Sequence, residues 1–79
     1  MLFVTMSYRS APKSPGVEPY CFSNVRADYI GIPLAVQMGK IHSVGPKMGA
    51  HSFIISDRDS GKTLAEWSLH EGEWTETIH

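Results

Sequence analysis

One cysteine stands in the chain, at position 21, and a single thiol excludes an intrachain disulfide. The fold must therefore rest on packing alone, which fits a reducing compartment, the cytoplasm. No apolar run approaches the ~18 residues of a membrane span. The apolar start Met1-Leu2-Phe3-Val4 is too short for a signal-peptide hydrophobic segment and has no basic lead. Translation beginning at Met1 or at Met6 fits the sequence equally. There is no excess of charge of either sign, since the net charge is −1, so no global field draws the chain to nucleic acid or to an anionic membrane. No internal repeat and no low-complexity tract is present.

What is there amounts to one domain, residues 1–79. Its 42% hydrophobic and 19% charged residues exclude a low-hydrophobicity disordered chain. A core of this size gives only ~3–5 kcal/mol of stability. Such a chain must be compact, and self-association is a ready source of further burial.

The near-neutral charge is a sum of unlike halves. Residues 1–50 hold five basic side chains (Arg9, Lys13, Arg26, Lys40, Lys47) against Glu18 and Asp28. Residues 51–79 hold Arg58 and Lys62 against six acidic side chains (Asp57, Asp59, Glu66, Glu71, Glu73, Glu76). Such halves attract one another in the fold, stay solvated, or form a bipolar binding surface.

Residues 2–8 alternate, with Leu2, Val4, Met6 and Tyr8 on one side, and predict a half-buried strand. Residues 9–19 hold three prolines and a glycine and read as a long extended loop. Residues 51–57 and 62–69 read as strands joined by a turn at Asp59-Ser60-Gly61, with Gly61 suited to the left-handed position of a bulge. Only one register keeps the apolar residues together: Phe53 opposite Trp67, Ile55 opposite Ala65, His51 opposite Leu69. A second hairpin at Glu71-Gly72 pairs Leu69 with Trp74, Trp67 with Glu76 and Ala65 with Ile78. The resulting meander has one apolar face and one polar face, on which Ile54 and Leu64 are exceptions.

An apolar sheet face needs a cover, and residues 20–46 are the available material. Pro33 suits a helix start, Leu34, Met38 and Ile41 form an apolar stripe, and Gly45-Pro46 ends it. Ile32 as a poor N-cap and Gly39 in the helix interior, which costs ~1 kcal/mol against alanine, speak for strands at 29–38 and 40–44 instead. Whether 33–42 is helix or strand stays open. The expected fold is α+β: a small antiparallel sheet of about four strands with one short helix on one face. The alternative is a small all-β barrel.

No catalytic constellation emerges. Cys21, His42, His51, His70 and His79 show none of the spacings of a zinc site, and no cofactor loop is present. Cys21 has no base tied to it by spacing, and no serine lies in a nucleophile elbow. Ser60-Gly61-Lys62-Thr63 echoes the end of a phosphate-binding loop, but Ser56 stands where the first glycine belongs and a strand follows where a helix is needed. Asp57 sits where a strand ends and Asp59 serves the turn, and the loop between them offers too few oxygen ligands for calcium. The sequence therefore points to a non-catalytic interaction module, a regulator or inhibitor that binds a partner protein or a second copy of itself. The contact residues it nominates are Arg9 and Lys13 of the 9–19 loop, Tyr20, and Glu71 and Glu73 of the acidic hairpin. The alternative is a nucleic-acid-binding accessory protein that uses the basic N-terminal half.

Overall fold

A computed structural model describes residues 1–11, 16, 21–45 and 49–77. The order is β1 (Leu2–Arg9), β2 (Cys21–Tyr29), α1 (Ile32–Ser43), β3 (Ser52–Asp57), β4 (Thr63–His70) and β5 (Glu73–Glu76). The strands form one five-stranded antiparallel sheet in the order β2-β1-β3-β4-β5, open at both edges among the described residues, with α1 on one face. This is the expected α+β fold and not a closed barrel. No helix among the described residues is long and apolar enough to cross a membrane.

The C-terminal meander follows the turn chemistry. Gly61 has φ 75°, its N–H donates to the Asp57 carbonyl, and the Asp59 N–H donates to Asp57 Oδ1. Phe53 pairs with Trp67 and Ile55 with Ala65, and one irregularity between Ile55 and Ser56 absorbs the extra residue. The Leu69 N–H donates to the His51 carbonyl, which extends that register to the strand end. At the second hairpin Glu71 and Gly72 both have positive φ, 51° and 81°, the signature of a type I′ turn. Leu69 then faces Trp74 and Trp67 faces Glu76. The Ala65–Ile78 pair lies outside the described residues.

Two features depart from the sequence expectation. The first is a fifth strand. Residues 21–29 were expected within the cover but pair with β1 along its whole length, Leu2 with Tyr29 through Tyr8 with Ser23. Val25, Ala27 and Tyr29 alternate with Arg26 and Asp28, so β2 presents one semi-apolar side to the core.

The second is the face that the helix buries. The stripe Leu34, Met38, Ile41 was expected to lie on the sheet. Instead Ala35, Gly39 and Ser43 are buried, at i, i+4 and i+8, while Leu34 is 39% and Ile41 52% exposed. The reason is bulk on the sheet side. Tyr8 and Phe53, both fully buried, already fill the space above β1 and β3. A helix crossing them fits only with its smallest residues underneath. Ideal geometry puts a Cβ at Gly39 only 2.5 Å from Phe53 Cε2, so glycine here serves close approach. Helix signals otherwise hold: Pro33 sits in the first turn, where its missing N–H costs nothing, and Lys40 and His42 occupy the last turn, complementing the helix dipole.

The core comprises Val4, Met6, Tyr8, Ala35, Ala50, Phe53, Ile55 and Ala65, with Trp67 and Trp74 packed at its margin. Trp74 meets Phe53 edge-on at 5.4 Å, and the Lys40 Nζ caps the Trp67 ring at 3.9 Å.

Candidate interaction surface

Three surfaces hold the side chains with chemical potential: the polar sheet face, the helix–sheet seam and the outer side of α1. On the polar face, Arg9 ends β1 rather than opening the loop. It reaches across β3, donating from Nε to Ser52 Oγ at 3.0 Å and from Nη2 to Glu66 Oε2 at 2.6 Å. Both ion-pair partners are mostly buried, with side chains 19% and 16% exposed. Arg9 is thus committed within the fold. Arg58 lies over the Phe3 ring and donates to the Ala27 carbonyl and to Asp28 Oδ1. These pairs cross the charge division in opposite senses, one basic group from each half meeting an acid of the other.

Of the other nominated contacts, Lys13 and Tyr20 lie outside the described residues. Glu71 and Glu73 are exposed on the terminal hairpin, 71 in the turn and 73 opposite His70. They project from one end of the sheet, and the structure does not bring them together with Arg9. Ile54 and Leu64, the apolar exceptions, are half-buried rather than exposed. What sequence reasoning missed is the outer side of the helix, where Leu34 and Ile41 are 39% and 52% exposed, with Ile32 and Val44 exposed at the two helix ends. The missed signal was the second stripe Ala35-Gly39-Ser43, whose small residues compete with the bulky one for the sheet.

At the seam, the Tyr8 hydroxyl lies 3.3 Å from His42 Nδ1 and donates to it when that nitrogen is unprotonated. Burial, with a smaller contribution from Tyr29, pushes the Tyr8 phenol up from 10.0 to about 12. Between these values the unfolded chain has released a proton that the folded one keeps, so raising pH favours unfolding. Stability is expected to fall by about 2 kcal/mol as pH climbs from 10 to 12. Denaturant midpoints measured against pH check this. The Tyr8→Phe variant should lose most of that slope, and an unchanged slope would assign it elsewhere.

Cys21 is exposed, and its thiol contacts Asn24 Oδ1 at 3.3 Å and the Ser23 carbonyl at 3.6 Å. These neighbours are not bases able to activate it. His51 and His70 meet edge-on at 5.6 Å, but among the described residues no group of three or more His, Cys, Asp or Glu is placed to hold a metal ion. No protein-family description matches this chain, and neither does any curated protein or solved structure.

Proposed function

We propose that this chain is a non-catalytic protein-interaction module, a regulator or inhibitor that works by covering a surface of a partner protein. The observation that carries the reading is the apolar outer side of α1. A helix this short normally turns its large apolar residues inward. Here Ala35, Gly39 and Ser43 face the sheet, while Leu34 and Ile41 on the opposite side, and Ile32 and Val44 at the helix ends, are exposed. Such a surface is matched by an apolar patch on a partner. A cytoplasmic setting belongs to the same proposal and rests on the single cysteine.

The nucleic-acid alternative has less support. Arg9 and Arg58 are held in ion pairs, and Lys40 covers Trp67. Of the three described cations of the basic half, two are thus engaged, and phosphate binding would rest on the exposed Arg26.

Affinity capture from the native host, with wild type beside Leu34→Gln/Ile41→Lys, tests the proposal. The wild type should retain a defined protein that the variant loses. Equal capture by both, or none by either, would overturn it. A gel shift at low salt that weakens steeply with added salt would favour nucleic acid instead.

A further inference from the structure

The two sheet edges are unlike. β5 is four residues long and carries Glu73 and Glu76, which discourages strand addition. β2 is nine residues long, lies outermost, and contains neither proline nor lysine. We propose that β2 is a self-association edge, on which a second copy of this chain adds antiparallel about a two-fold axis passing beside Ala27. The proposal rests on the interaction-module reading and assigns one partner, the chain itself, to a surface separate from the outer side of α1.

The backbone sets which residues bond outward. The Arg58 N–H donates to the Phe3 carbonyl and the His51 N–H to the Arg9 carbonyl, so odd-numbered residues of β1 face β3. By alternation Val4 and Met6 bond towards β2, meeting Ala27 and Val25. Asn24, Arg26 and Asp28 therefore direct their N–H and C=O groups to the open edge.

Charge then selects the register. A two-fold centred on Arg26 sets two guanidinium groups against each other. One centred on Asp28 opposes two carboxylates, and one centred on Val25 sets Arg26 against Asn24. Centring on Ala27 alone places Arg26 opposite Asp28, twice, as hydrogen-bonded cross-strand pairs on the polar face. Both side chains are accessible for this: Arg26 is exposed, and Asp28 is 51% exposed, with Arg58 on Oδ1 while Oδ2 lies on the other side of the carboxylate. On the opposite face the same register sets Val25, 41% exposed, against Tyr29 of the second copy. It also brings the two Ala27 residues together as a non-hydrogen-bonded pair.

Sedimentation equilibrium of wild type, Arg26→Glu and Asp28→Arg tests the proposal. Wild type should dimerise. Each single variant should weaken dimerisation roughly tenfold or more, since two attractive pairs become repulsive. An equimolar mixture of the two variants should restore it, because the carboxylate introduced at position 26 of one chain then faces the guanidinium introduced at position 28 of the other. A readout independent of affinity is oxidation of Ala27→Cys in a Cys21→Ser background. Facing residues of a non-hydrogen-bonded pair suit a disulfide, so covalent dimer should form there and not with Val25→Cys. Wild type that stays monomeric at millimolar concentration, dimers indifferent to both charge reversals, or preferential cross-linking through position 25 would each overturn the proposal. None of these outcomes alters the capture comparison made with the α1 variant, so the two readings fail separately.

Discussion

Replacing Gly39 with alanine should destabilise this protein, although alanine is the better helix former by ~1 kcal/mol. In an exposed helix interior the substitution would raise stability. Here the new Cβ meets the Phe53 ring at 2.5 Å from Cε2 and 2.8 Å from Cδ2 and Cζ. The ring is fully buried between Tyr8 and Trp74, at centroid distances of 6.3 and 5.4 Å, so it has nowhere to turn. The helix must lift, opening the seam over Ala35 and Ser43. Overpacking costs ~1–3 kcal/mol, and a 2.5 Å contact with a ring that cannot turn belongs at the upper end, which exceeds the propensity gain. Equilibrium denaturation reads the sign. Phe53→Leu should relieve part of the effect, so a double-mutant cycle should show favourable coupling between positions 39 and 53. A more stable Gly39→Ala variant would mean that the helix does not approach the sheet this closely.

Phe53→Ala should have the larger effect. Phe53 is the residue on which helix and sheet converge: it faces Tyr8 on β1 and Trp67 on β4, and lies under Gly39. Truncating a buried phenylalanine costs ~3–5 kcal/mol. A domain of this size has only ~3–5 kcal/mol in total. The variant is thus expected to be largely unfolded at room temperature, with the loss of far-ultraviolet circular dichroism as the readout. A cooperatively folded Phe53→Ala protein would place the centre of the core elsewhere.

The two predictions turn on what local sequence reveals and what it hides. The meander was legible down to its register, because turn residues at Gly61 and Glu71-Gly72 fix the strand offsets and one offset alone keeps Phe53, Ile55, Trp67 and Trp74 on a common face. The strand β2 was harder to see. Its alternation consists of Val25, Ala27 and Tyr29 only, a pattern too short to stand out beside a proline-rich stretch. The helix was legible as a helix, but its orientation was not. Periodicity marks Leu34, Met38 and Ile41 as the apolar stripe, yet the buried face is set by the bulk opposite, which belongs to Tyr8 and Phe53 on two other elements. The site residues show the same limit. Arg9 reads as a free loop cation until Glu66, 57 residues away, is brought within 2.6 Å. Glu71 and Glu73 stay exposed as expected, since turn and edge positions are decided locally.

Leu34 and Ile41 of α1 face outward because they belong to a surface and not to the core, against which Val36 packs instead. The most direct test is the unfolding free energy of Leu34→Gln/Ile41→Lys, a pair chosen to keep helix propensity and to suit the positive end-charge preference of the last turn. The account predicts a folded protein within about 1 kcal/mol of wild type, as surface substitutions are. A loss of several kcal/mol, on the scale of core truncations, would show that these side chains hold the fold together and would contradict it.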